Sequence, residues 1–258
     1  MDIREYVKNP IQGAILHPWE SARIEVVLKL LNQHKKRASN LNIFDIGCGD
    51  AKVINTLSKQ LKESTFIGID TALDEELISQ LQNILNNPNI KLYKDSKDLT
   101  KQNSIADVVL LLDIIEHIEK DADFLAEITS SNYISKDTNV IITVPAFQSL
   151  YVNRDTWLGH YRRYTIKMLT ELATKNNLEI VQTGYFFSSL VPVRFLQKIT
   201  ERESEPNGYL GINNWNGSKW SADLLKNILV IDYKIGNVFN NLGIKLPGLS
   251  CYMICKKQ

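Results

Sequence analysis

From Trp19 to Lys36 the apolar residues Ala22, Val26, Val27, Leu30 and Leu31 recur at helical spacing, and Lys, Arg and Glu fill much of the other face. That spacing predicts an amphipathic helix. After the polar Ser39-Asn40 stretch, Ile43-Phe44-Asp45-Ile46 is short, mostly apolar and closed by glycines, as a buried parallel strand entering a turn is. The pattern then alternates. Helices near 51–62, 74–86, 120–131 and 166–175 interleave with strands at Thr65–Ile69, Ile90–Tyr93, Asp107–Leu112 and Val140–Val144. Strands and helices in this order build right-handed βαβ units, so the fold class is α/β with a mainly parallel sheet covered on both faces.

A sixth strand is expected at Leu178–Thr183, where apolar and polar residues alternate until Gly184 breaks the run. The apolar stretch from Tyr185 to Leu196 reads as a buried strand end followed by a packed helix, with contact to a lipid-linked molecule as the alternative. Beyond it lie a polar region with glycines and tryptophans at 201–220, a helix near 221–240 and a closing strand at Ser250–Cys255.

Composition narrows the class. Thirty basic residues against 29 acidic ones give a formal net charge of +1, which lacks the basic excess of a nucleic-acid surface. Met1-Asp2-Ile3-Arg4-Glu5-Tyr6 has no apolar core of a secretory signal, and no apolar run approaches a membrane span, so a cytoplasmic location is expected. Cys48, Cys251 and Cys255 are odd in number and lack CxxC spacing. They suggest neither a disulfide framework nor a zinc site, and no metal is expected.

The candidate chemistry starts at the turn after the first strand, Asp45-Ile46-Gly47-Cys48-Gly49-Asp50-Ala51. In open α/β sheets ligands sit beyond the C-terminal strand ends, and Gly47 and Gly49 let the backbone approach one closely. A dinucleotide fingerprint needs a third glycine at 52, where Lys52 stands, and Asp50 would face a pyrophosphate. Carboxylates at Asp45 and Asp50 suit instead a cofactor with an ammonium and a sulfonium, such as S-adenosylmethionine. Asp70 follows the second strand about twenty residues on, where a carboxylate accepts hydrogen bonds from ribose hydroxyls. Asp95, past the third strand, is read either as an acceptor from an adenine amino group or as a helix cap.

The runs Phe44-Asp45-Ile46-Gly47-Cys48-Gly49 and Asp107-Val108-Val109-Leu110-Leu111-Leu112-Asp113-Ile114-Ile115-Glu116-His117-Ile118, with Asp70 between them, resemble the ordered motifs of class I S-adenosylmethionine-dependent methyltransferases. Val144-Pro145-Ala146, Gly159-His160-Tyr161-Arg162-Arg163-Tyr164-Thr165 and His17-Pro18-Trp19 extend the likeness towards small-molecule methyltransferases. It covers roughly residues 15 to 185, and departs from the pattern at Ala51, where a third glycine is common; slightly tighter packing is expected there. The resemblance implies a Rossmann-like sheet of seven strands with the last antiparallel. It also implies that Gly47, Gly49 and Asp70 hold S-adenosylmethionine, with Asp113 near the methionine end. The chain then divides into an N-terminal helical lid (1–40), a cofactor-binding core (41–183), an insertion or substrate cover (184–248) and a closing strand (249–258).

His117 and His160 lie on the expected ligand edge, and either is a candidate base for an acceptor or a hydrogen-bonded structural histidine. His17 is a third, substrate-side candidate. Arg162 and Arg163 are candidates for an anionic acceptor, or they pair with Asp155 and brace the loop. Thr165 is read as a helix N-cap. Trp157, Trp215 and Trp220 either line a pocket or pack the insertion. The functional expectation is a methyltransferase for a small-molecule acceptor, without nucleic acid or stable membrane insertion. A cofactor-binding regulatory module and an NAD-dependent oxidoreductase remain as alternatives.

Overall fold

The computed structural model describes residues 15–33, 40–101, 104–200 and 215–258. Half of the expected lid, residues 1–14 and 34–39 with the end of its helix, and residues 201–214 of the polar region lie outside the described residues. Helix α1 (Pro18–Gln33) opens the described chain. There follow β1 (Asn42–Ile46), α2 (Lys52–Ser58), β2 (Thr65–Ile69), α3 (Glu75–Leu85), β3 (Ile90–Tyr93), β4 (Val108–Leu112), α4 (Asp121–Ser130) and β5 (Asn139–Pro145). The C-terminal part holds α5 (Asn153–Trp157), α6 (Ile166–Lys175), β6 (Leu178–Phe186), α7 (Val191–Thr200), α8 (Lys219–Asn241) and β7 (Ser250–Lys257).

The strands form one seven-stranded sheet in the order β3-β2-β1-β4-β5-β7-β6. The first five pair in parallel, and β7 runs antiparallel between β5 and β6. The central strands read as continuous apolar runs because both faces are covered. Alternate residues go to opposite sides: Ile43 and Leu110 join the core under α1, α3 and α8, whereas Phe44 and Val109 join the core under α4 and α6. The positions chosen by helical spacing on α1, among them Ala22, Val26 and Leu30, are buried in the first of these cores.

Three expectations need adjustment. The helix expected over 51–62 ends at Ser58, whose hydroxyl turns back onto the Asn55 carbonyl at 2.9 Å. Strand β6 does not stop at Gly184. A Cβ there would lie 2.6 Å from the Tyr252 ring of β7, so this glycine marks close strand packing and not a break. The helix after it, α7, forms but buries none of its residues; Val193, Phe195, Leu196 and Ile199 are each more than half exposed. Helix α8 packs against α1 and β6 and belongs to the layer over the sheet. Cys48, Cys251 and Cys255 are buried free thiols. Among the described residues, no helix is long and apolar enough to cross a membrane.

Candidate active site

The C-terminal ends of the parallel strands bring the predicted residues to one edge of the sheet. In the turn after β1, Gly47, Gly49 and Ala51 all have positive φ, at 76°, 54° and 59°. A side chain at Gly47 would lie 2.2 Å from Ile114 Cδ1, so both backbone and space demand glycine. A Cβ at Gly49 would meet nothing within 4 Å, and the turn opens to free space there. Ala51 is fully buried and holds a left-handed conformation that costs a non-glycine residue about 1–2 kcal/mol.

Asp70, one residue past β2, clamps this turn. One carboxylate oxygen accepts the Gly49 N–H at 2.9 Å, and the other accepts the Ala72 N–H at 2.9 Å. Asp45 is buried in β1. Burial, reinforced by Asp70 and Asp50 and opposed by Arg23, pushes its carboxyl up to about 7. Lys52 Nζ lies 2.7 Å from Asp50, so the charge of Asp50 is balanced locally. The expected repulsion between Asp50 and a pyrophosphate therefore loses its force, and the case against a dinucleotide rests on Lys52, where the fingerprint needs a glycine.

Asp113 directly follows β4 with φ 56°. Its carboxylate forms an ion pair with Arg23 of α1 and accepts the Thr143 hydroxyl at 3.1 Å. The Arg23 guanidinium also lies 5.1 Å above the Trp19 ring. Asp95 stands apart. Its half-exposed carboxylate accepts the Lys97 N–H at 2.9 Å and caps the 3₁₀ turn Ser96–Lys101.

A second group gathers where the loop after β4 meets the loop after β5, joined by the Tyr161 N–H donating to the Glu116 carbonyl at 2.8 Å. The His117 and His160 rings meet edge to face with centroids 4.6 Å apart. Partial desolvation of its ring and the neighbouring His160 hold His117 below the ordinary histidine value. Beside them Glu116 is fully buried, and neither carboxylate oxygen has a hydrogen-bond partner. Burial, with Asp113 nearby, pushes its carboxyl well above the usual carboxylate range.

Asp155 in α5 organises the rest of this loop. Its carboxylate takes His160 Nδ1 at 2.9 Å, the Arg163 guanidinium in a bidentate pair, and Arg194 of α7 at 2.9 Å. Burial alone would raise this carboxyl, but the bonds from His160 and Arg163 and the Arg163 charge hold it well below the ordinary range. Arg163 is 4% exposed and its guanidinium is paired with Asp155, which is the bracing role. Arg162 braces elsewhere, on the Ile118 and Glu119 carbonyls at 2.9 and 2.7 Å and on Asp121 at 3.0 Å. Both arginines thus make bracing contacts, the alternative that the sequence left open. His17 accepts the Trp19 N–H at 3.2 Å, and its ring packs edge-on against Trp215 at 5.5 Å. Thr165 caps α6 through the Met168 N–H.

The sequence model of the methyltransferase domain family matches residues 19–183. The chain belongs to that family. In this methyltransferase domain the glycine turn, Asp70 and the Glu116-His117 loop all fall within the matched span. A ubiquinone biosynthesis O-methyltransferase of Rickettsia canadensis (strain McKiel) is 27% identical over 116 residues, covering 43% of this chain and 46% of the relative. The chain thus spans about half the length of the curated relatives it matches. Among solved structures, the plantazolicin methyltransferase BpumL in complex with S-adenosylhomocysteine is 19% identical, with 99% of this chain and 89% of that one covered and a TM-score of 0.54. The cyclase SpnF is 12% identical, with 99% and 93% covered and a TM-score of 0.58. At such identities the likeness is one of fold, and a fold hosts more than one chemistry.

Sequence reasoning missed Arg23, Glu116 and Asp155 as parts of the site. Arg23 sits on an amphipathic helix whose charged residues read as a solvent face. Glu116 lay inside a quoted motif, and only its complete burial separates it from a surface acid. Asp155 was named as a partner for the arginines, but its hold on His160 depends on the tertiary path of the loop.

Proposed function

We propose that this chain is an S-adenosylmethionine-dependent methyltransferase acting on an oxygen of a small molecule. The observation that carries the reading is the clamp between the Gly49 amide and the Asp70 carboxylate, beside open space at Gly49 on the ligand edge of the sheet. The residues present fit the cofactor. The partly exposed Asp70 suits ribose hydroxyls, and the open space at Gly49 gives the nucleoside room. When bound, S-adenosylmethionine supplies a methyl group already activated on a sulfonium.

The protein's share is positioning, exclusion of water and management of the acceptor's proton. Gly47, Gly49 and Asp70 hold the nucleoside part, and Asp113, fixed by Arg23 and Thr143, faces the amino-acid part. Asp95 has its own turn to cap, and its role towards the adenine is secondary. His117 and His160 stand on the acceptor side, where the pair favours loss of the acceptor proton, and Asp155 orients His160. The O-methyltransferase names of the sequence relatives favour oxygen as the methylated atom. Within 184–248, the cover role belongs to α7. Arg194 ties it to Asp155 and Lys198 to the Ser149 carbonyl, so it lies over the His160 loop with an exposed apolar face. Such a cover suits an apolar acceptor better than an anionic one.

Isothermal titration with S-adenosylhomocysteine, on the wild type and on Asp70→Ala, tests the reading. Binding that weakens at least tenfold in the variant is expected, worth about 1.4 kcal/mol or more. No heat with either protein overturns it.

A further inference from the structure

The cluster of Glu116, His117 and His160 has features that a proton shuttle does not require. Each residue offers one ligating atom, and these atoms all lie within 4.8 Å of one another. Glu116 is fully buried, yet both of its carboxylate oxygens lack a hydrogen-bond partner. A buried carboxylate left unsatisfied is costly, by about 1–3 kcal/mol or more, and the site that tolerates it is one where something else completes it.

The two histidines carry the same message from their outer sides. His160 gives Nδ1 to the Asp155 carboxylate at 2.9 Å, which leaves the Nε2 lone pair for a ligand. The His117 ring has the Leu158 backbone beside it. Metal-binding histidines are held in this way, with the far nitrogen bonded to a carboxylate or a carbonyl that fixes the tautomer and aims the ring. Asp155 is itself fixed by Arg163 and Arg194, so the aim of His160 is rigid. His117 is exposed, and the cluster is therefore open to solvent on that side.

From these observations we infer that Glu116, His117 and His160 form a binding site for a first-row divalent transition cation. Two neutral imidazoles and one carboxylate form a donor set for Zn²⁺, Mn²⁺, Fe²⁺ or Co²⁺, whereas Mg²⁺ and Ca²⁺ prefer oxygen donors throughout. Three protein ligands leave coordination positions for an acceptor, and a cation so placed binds an acceptor oxygen and lowers its pKa. This use of the ion rests on the methyltransferase reading; the binding site itself does not. The expectation of no metal, drawn from cysteine spacing, looked for thiolate sites and had no means of seeing a His-His-Glu set assembled from two loops.

The test is titration of the chelator-treated full chain with Co²⁺, followed by visible d–d absorption, and with Zn²⁺, followed by calorimetry. About one equivalent should bind, and Glu116→Gln and His117→Ala should each weaken it at least tenfold. His117→Ala changes an exposed side chain and is expected to fold even if a change at Glu116 disturbs the core. Affinity for S-adenosylhomocysteine, measured on each protein, reports whether the fold and cofactor site are intact. Absence of a cobalt spectrum and of zinc heat in a chain that binds S-adenosylhomocysteine overturns the proposal. So does metal binding of undiminished affinity in both variants, which would put the ion elsewhere. One equivalent of metal lost in the variants of a chain that ignores S-adenosylhomocysteine upholds the cation site and sinks the methyltransferase reading alone.

Discussion

Replacing Asp45 with asparagine should change how the stability of the cofactor-free chain depends on pH. Asp45 is 2% exposed, and burial lifts its carboxyl from an ordinary 3.8 to about 7. The folded chain therefore holds this proton more tightly than the unfolded chain does. Stability from this group is full below 3.8, falls as pH rises towards 7, and is flat above. Across roughly three pH units, at about 1.4 kcal/mol per unit, the whole loss is on the order of 4 kcal/mol. The asparagine side chain does not titrate, so the curve of the Asp45→Asn variant lacks this fall. Between about pH 5 and pH 7 the variant should gain roughly 2–3 kcal/mol relative to the wild type. Any fixed cost of burying the amide offsets the two curves without altering their difference in slope. Urea denaturation in that range reads the effect; with an m-value of about 3 kcal/mol/M, the midpoints should move relative to each other by about 1 M. Parallel curves would mean that Arg23 keeps Asp45 ionised in the folded state, and the argument from burial would be refuted.

Other substitutions probe the same edge of the sheet. Gly47→Ala forces a Cβ into Ile114 at a positive φ and should cost about 2–4 kcal/mol in chemical denaturation, whereas Gly49→Ala meets only the backbone cost of about 1–2 kcal/mol. If the two cost the same, the close approach of Ile114 is irrelevant. Arg23→Met removes the cation from Asp113 and from the surroundings of Asp45; a loss of about 3 kcal/mol at neutral pH is expected, together with an Asp45 midpoint above 7. Unchanged stability would show the pair to be solvated. Asp155→Ala strips the partner from the buried Arg163, from Arg194 and from His160 together, and should cost about 3–5 kcal/mol, more than any single arginine substitution around it. A smaller loss than that of Arg163→Ala would refute its place as the shared anchor.

Much of the fold was legible because each central strand is a short apolar run between turn residues, and α1, α3 and α6 show regular helical spacing. The departures have local causes. Gly184 reads as a breaker in isolation, and only the Tyr252 ring facing it explains why a glycine stands inside a strand. Exposure along α7 is not visible in a sequence whose apolar residues look ready to be packed. In the site, the glycine turn and Asp70 were readable because they are near in sequence and fixed by strand ends. The partnership of Arg23 with Asp113 joins residues 90 apart, and the Asp155 anchor draws on α5, the following loop and α7. Such contacts depend on how layers stack, and no local pattern announces them.

The placement of β7 bears on how this chain reaches its fold. That strand follows the other six in chain order yet sits inside the sheet, bonded to β5 on one side and β6 on the other. Until it is synthesised, β5 presents a bare edge with buried Val, Ile and Thr side chains, and β6 has no neighbour to pair with. An exposed apolar edge of this kind invites pairing with other chains. The growing polypeptide thus holds its five parallel strands as an unfinished sheet, and Ser250–Lys257 acts as the latch that joins them to β6 once the six earlier strands have been made.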